Sequence, residues 1–163
     1  FTTILREIPE AVLRTTLITG FPSETEAEHQ ALLSFIEEIP FLALGCFCYS
    51  PEPGTPAYDM DAQIDEELAE QRQNEILGLH NKLLEARLGA LVGKPMEVLI
   101  EEELDRDSED ERITNYIGRT WFQAPDIDGQ VIVRAGHLIP GQFALLEIED
   151  VIDSDLFASE KDI

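Results

Sequence analysis

The sequence predicts an α/β unit followed by a small all-β barrel, on three observations. Two apolar, β-branched runs at 12–19 and 41–49 each end in a Gly/Pro turn, and a helical pattern lies between them. That succession is a βαβ unit, which places ligands outside the carboxyl ends of its strands. A long helical pattern then runs to Gly93 and Pro95, where Gly/Pro punctuation marks a domain boundary. Beyond it, about five short alternating strands in some seventy residues argue a small closed barrel. The predicted domains are 1–92 and 93–163.

Each element follows from its residues. Residues 4–10 read as the end of a helix, stopped by Pro9. The run 12–19 predicts a strand buried on both faces, as parallel strands are, ended by Gly20 and Pro22. Ser23 with Glu26 three residues later predicts a capping box and a helix from about Glu24. Leu32, Leu33, Ile36 and Ile39 fall at helical spacing, with Glu24, Glu28, Glu37 and Glu38 expected in water. Pro40 closes that helix and 41–49 is the next strand. A Pro/Gly loop spans 50–61, and 61–91 carries the long helix pattern on Ile64, Leu68, Leu77, Leu84, Leu88 and Leu91. The barrel strands are expected at 97–101, 113–120, 130–135, 143–150 and 155–157, separated by turns at Gly118, Asp128-Gly129 and Pro140-Gly141.

Composition narrows the function. Of 163 residues, 44% are hydrophobic, enough for a core despite a formal charge of −23. No run reaches the ~18 apolar residues that a transmembrane helix needs, and the start shows no signal-peptide layout, so a soluble cytoplasmic protein is expected. Cys46 and Cys48 are the only cysteines; two apart on a strand, they read as core thiols. An iron–sulfur cluster draws on about four thiolates, so none is expected on this chain, and no metal site is expected with only His29, His80 and His137 in support. Asp126-Ile127-Asp128-Gly129 lacks the later glutamate of a calcium loop and reads as a hairpin turn. From 94 onward, eighteen acids face six bases, the wrong sign for a nucleic-acid surface and the right one for a basic partner.

The segments Leu13-Arg14-Thr15-Thr16-Leu17-Ile18-Thr19-Gly20-Phe21-Pro22-Ser23-Glu24-Thr25 and Gly45-Cys46-Phe47-Cys48-Tyr49-Ser50-Pro51-Glu52-Pro53-Gly54-Thr55 together resemble the last two strands of the radical-SAM barrel of the methylthiotransferases. Gln123-Ala124-Pro125-Asp126-Ile127-Asp128-Gly129 is similar to a segment of the group that modifies an aspartate of a small-subunit ribosomal protein, the RimO group. The resemblance covers nearly the whole chain. It implies a partial radical-SAM, TIM-like α/β barrel, a long linking helix and a C-terminal five-stranded TRAM β-barrel, and hence the back portion of an enzyme.

The complete enzyme, by this resemblance, uses S-adenosylmethionine and two 4Fe–4S clusters to add a methylthio group to an aspartate β-carbon. The cluster-binding cysteines are absent here, so the resemblance leaves this chain without clusters and without activity of its own. Thr16, Ile18 and Gly20 match the strand that packs against adenine, although on geometry alone Gly20 reads as an ordinary turn glycine. Tyr49 and Ser50 leave the last strand at the barrel mouth, where their hydroxyls suit an adenine edge or ribose. Arg14 is expected to brace the barrel, and Ser23 stands where the family pattern has glycine. A basic small-subunit ribosomal protein is the implied partner, recruited by Glu101, Glu102, Glu103, Asp126 and Asp128, with Trp121 and Phe122 as aromatic anchors, one of which alternation turns inward. Two other readings stay open: a tRNA adenosine methylthiotransferase, and an acidic protein-binding module without catalysis. An exposed edge on the strand at 12–19 is expected to favour self-association.

Overall fold

A computed structural model describes residues 1–106 and 112–160. Asp107, Glu109, Asp110 and Glu111 of the acidic stretch lie outside the described residues. The chain divides into two compact units, Phe1–Leu84 and Glu85–Ile163.

The first unit runs α1 (Thr2–Glu7), β1 (Leu13–Thr19), α2 (Glu26–Glu38), β2 (Phe41–Cys48) and the greater part of α3 (Glu66–Gly89). β1 and β2 pair in parallel, Thr16 against Gly45 and Ile18 against Phe47. One core cluster holds Ile36, Cys46 and Ile76, with Leu17, Leu32 and Leu33 packed on it. A second holds Leu13, Ile39 and Phe41. Both helices therefore cover the same face of the sheet.

Three expectations for β1 and the turn that follows it are corrected by the structure. β1 is not buried on both faces: its side chains alternate, and Ile18 is 58% exposed beside Phe47 at 62%. Two strands with helices on one side leave the other face uncovered. Ser23 is not the helix cap. It takes a left-handed φ of 71°, the conformation that glycine adopts without cost, and Thr25 caps instead. The Thr25 hydroxyl accepts from Glu28 N at 3.3 Å while the Glu28 carboxylate accepts from Thr25 N at 2.8 Å. This reciprocal pair holds Glu28 below the ordinary carboxylate range, the Thr25 backbone donor acting most strongly. Glu24, expected in water, is largely enclosed.

The long helix begins at Glu66 rather than near 61. The Asp65 carboxylate accepts from Glu67 N at 3.0 Å, which satisfies one of the first free amides of the helix, and residues 56–59 form a separate 3-10 turn. Its buried face carries Ala69, Arg72, Ile76 and His80, while Leu68 of the predicted stripe is exposed. An apolar stripe read from sequence misses polar side chains that are buried because they find partners: His80 Nε2 lies 3.3 Å from the Phe41 carbonyl.

The second unit is a closed barrel in the order β3-β4-β5-β7-β6, built from β3 (Pro95–Arg106), β4 (Thr114–Thr120), β5 (Val131–Ala135), β6 (Phe143–Ile152) and β7 (Asp155–Ser159). The five predicted strands and their closure stand as expected. Strict alternation fills the inside with Val98, Ile100, Tyr116, Val131, Val133, Leu146, Ile148 and Leu156. Tyr116 keeps its hydroxyl satisfied by accepting from Leu138 N at 3.0 Å. Gly118 is not a turn residue but sits within β4, where an added Cβ would lie 2.6 Å from the Leu99 carbonyl oxygen. β3 runs well past 101, with register irregularities after Ile100 and Glu103 that let the acidic triplet continue the strand.

Candidate functional site

The carboxyl ends of β1 and β2 open onto a cleft of about 640 Å³ whose lining includes Gly20, Tyr49, Ser50, Tyr58, Glu66 and Glu70. Three predicted cofactor residues, Gly20, Tyr49 and Ser50, thus meet in one place. Thr16 and Ile18 do not join them: they point to the uncovered face of the sheet, two and four residues before Gly20. The Tyr49 ring packs edge-on against Phe21 with centroids 5.3 Å apart, and its hydroxyl is buried without a hydrogen-bond partner. Ser50 is exposed and donates to Glu52 at 3.4 Å.

Local structure explains Gly20. Its φ is 74°, and the space a side chain would fill is held by Ala69 of α3, whose Cβ would lie 2.5 Å from the added one. Its amide is also engaged: the Glu24 carboxylate accepts from Gly20 N at 2.7 Å and from Phe21 N at 3.3 Å. Arg72, only 3% exposed, locks that carboxylate from α3. It donates to Glu24 Oε1 at 2.9 Å and reaches the Glu24 carbonyl and Glu26 Oε2 at 3.3 Å. Alongside, buried His29 Nε2 lies 2.8 Å from Glu75 Oε2. The Gln71 amide and then His29 hold the Glu75 carboxyl below its ordinary range. Sequence reading missed Arg72, Glu24 and His29. The signal available was an arginine spaced between Ala69 and Ile76, and a histidine three and four residues before Leu32 and Leu33.

The cleft has a negative character. Burial pushes the Cys48 thiol up, and the carboxylates of Glu70 and Glu66 act in the same sense. Cys46 sits in the core with its thiol pushed up to about 11, chiefly by burial, as expected of a packed core thiol. Among the described residues no group of three or more His, Cys, Asp and Glu side chains is placed to hold a metal ion. Nor is any helix among them long and apolar enough to cross a membrane.

On the barrel, Glu101 is tied to Arg119, whose Nε donates at 2.7 Å, while Glu102 and Glu103 are exposed. Trp121 is exposed and Phe122 half-buried, their rings edge-to-face at 5.7 Å. Asp126 takes a left-handed φ of 61° at the exposed tip of the β4–β5 connection. Asp128 turns back into that loop and accepts from Ala124 N at 2.6 Å. Buried Gln123 staples the same loop, accepting from Thr120 N at 2.8 Å and donating to the Gly129 carbonyl at 2.6 Å.

A closed five-stranded barrel carrying this loop defines a recognisable class: residues 92–159 match the TRAM domain family. Over nearly its full length the chain is related to the C-terminal part of the RimO methylthiotransferases. It is 42% identical over 150 residues, 92% of its length, to the ribosomal protein uS12 methylthiotransferase RimO of Lawsonia intracellularis. Identity to the proteins of the same name is 39% over 96% of the chain in Thermotoga petrophila and 40% over 94% in Clostridioides difficile. The chain covers 33%, 34% and 33% of those three proteins, so it spans about a third of the length of the relatives it matches.

Proposed function

We propose that the chain is the C-terminal part of a radical-SAM methylthiotransferase that adds a methylthio group to an aspartate β-carbon of ribosomal protein uS12. The observation that carries this reading is the 42% identity over 92% of the chain to a protein of that name. The uncovered face of the β1–β2 sheet supports it. Parallel sheets are buried on both faces, and further barrel strands would cover Ile18 and Phe47, turning that face inward. In this reading residues 1–92 are the end of the barrel with its linking helix, and 93–163 are the substrate-recruiting domain of a soluble cytoplasmic enzyme. The unpaired edge of β1 is where isolated chains would self-associate.

The residues at the strand ends fit S-adenosylmethionine. Tyr49 offers an aromatic ring and an unpartnered buried hydroxyl, Ser50 a second hydroxyl, and Glu66 and Glu70 negative charge toward a cationic ligand. Thr16 and Ile18 would line the inward face below them. When bound there, the cofactor supplies a transferable methyl group and the means of taking hydrogen from an unactivated carbon. The chain's donors do not fit the two 4Fe–4S clusters, because Cys46 and Cys48 are its two thiols and about four thiolates are required for each cluster. Both clusters then belong to the remainder of the enzyme, and this chain alone does not methylthiolate.

The acidic barrel recruits a basic protein in preference to nucleic acid. Titration calorimetry of the chain against uS12 is expected to give binding that weakens as salt rises, since exposed charges are screened beyond about 8 Å at physiological ionic strength. Replacing Glu101, Glu102 and Glu103 by glutamine should slow association more than it speeds dissociation, because rim charges steer encounter. Tight, salt-sensitive affinity for tRNA with none for uS12 would overturn the reading in favour of a tRNA adenosine methylthiotransferase.

A further inference from the structure

One wall of the barrel carries an apolar stripe that its fold does not require. Phe143 and Leu145, two apart on β6, are 66% and 72% exposed. Their antiparallel partners on β3 are Leu99 and Glu97, and directly opposed residues share a face. Val98, between Glu97 and Leu99, and Leu146, the residue after Leu145, are buried in the core, so the stripe is the outward half of the alternation. Arg119 of β4 stands opposite Leu99, with its guanidinium held by Glu101 at 2.7 Å. Exposed Trp121 follows Thr120, the partner of Val98. The barrel is closed, so a ligand on this wall is read by side chains rather than by an added strand.

We propose that the outer face of β6, β3 and β4, centred on Phe143, Leu99 and Leu145, docks a basic protein segment. Apolar side chains of that segment rest on these three residues, and its lysines or arginines meet Glu97 and Glu102. Charge selects the occupant. The stripe is bordered by Glu97, Glu101 and Glu102 on a domain of eighteen acids and six bases. A neutral partner covering those carboxylates would desolvate them without compensation, whereas a cationic one pairs them. The inference rests on the reading that this barrel recruits uS12, and it moves the apolar anchors from Trp121 and Phe122 onto the sheet.

The test compares the intact chain with the double variants Phe143→Ser/Leu145→Ser and Glu97→Gln/Glu102→Gln, with purified uS12 as probe. The first variant should weaken affinity about 10- to 100-fold with an unchanged melting temperature, because both side chains are solvent-exposed. The second should slow association and flatten the salt dependence. Wild-type affinity in both variants would overturn this surface while leaving recruitment by another part of the barrel intact. Failure of the unmodified chain to bind uS12 would overturn recruitment itself, and this inference with it. If Phe143→Ser/Leu145→Ser instead converts a dimer to a monomer in sedimentation with uS12 affinity unchanged, the stripe is a self-interface and the docking proposal is wrong.

Discussion

Replacing Arg72 by methionine is expected to destabilise the α/β unit by about 3–5 kcal/mol, the range found when one partner of a buried ion pair is removed. Arg72 donates to the Glu24 side chain and carbonyl and to Glu26. Without it, the Glu24 carboxylate, 13% exposed, keeps its two amide donors at the end of β1 but loses its counter-charge. Methionine preserves most of the volume, so the loss is chiefly electrostatic. The double variant Arg72→Met/Glu24→Gln should recover part of the deficit, because it removes the stranded charge along with the arginine. Urea unfolding of the four members of this cycle measures the coupling. A deficit below about 1 kcal/mol for Arg72→Met, the scale of an exposed pair, would show that the clamp is not structural.

Gly20→Ala is the second large effect, at about 2–5 kcal/mol. A left-handed φ costs a non-glycine residue about 1–2 kcal/mol, and overpacking typically adds about 1–3 kcal/mol. The added methyl would meet Ala69 Cβ at 2.5 Å, and neither backbone yields easily because Gly20 N is bonded to Glu24 and Ala69 lies within α3. Combining it with Ala69→Gly removes the colliding atom and should restore the packing part, though a helix glycine itself costs about 1 kcal/mol relative to alanine. Thermal unfolding, with hydrogen exchange followed along β1 and α3, reads both terms. A Gly20→Ala chain that melts with the wild type would contradict the close approach of strand end and helix.

These two sites mark where the sequence stops being legible. Strand–helix–strand succession and the five-stranded barrel follow from periodicity and turn residues, which are local signals. The Glu24–Arg72 pair joins residues 48 apart, and nothing local distinguishes it from the glutamates that do face water. The capping box was misplaced by two residues because Ser23/Glu26 and Thr25/Glu28 satisfy the same pattern, and only the left-handed turn at Ser23 decides between them. Gly118 looks like a turn residue, yet close strand packing demands it. Of the candidate site, Gly20, Tyr49 and Ser50 are singled out by the family resemblance, since by geometry alone Gly20 reads as an ordinary turn glycine. The separation of Thr16 and Ile18 from them needed the sheet to have one open face. Phe143 and Leu145 read as ordinary strand residues until the inward set of β6 is known.

The proposal that this chain serves the methylthiolation of uS12 is decided by intact-mass analysis of uS12 from cells with and without the gene. The expected result is that disruption leaves uS12 lighter by one methylthio group exchanged for hydrogen, with tRNA nucleosides unchanged. An unaltered uS12 mass would contradict the claim: loss of a methylthio-adenosine from tRNA would replace it with the tRNA-modifying reading, and no change in either would leave an acidic binding module without catalysis.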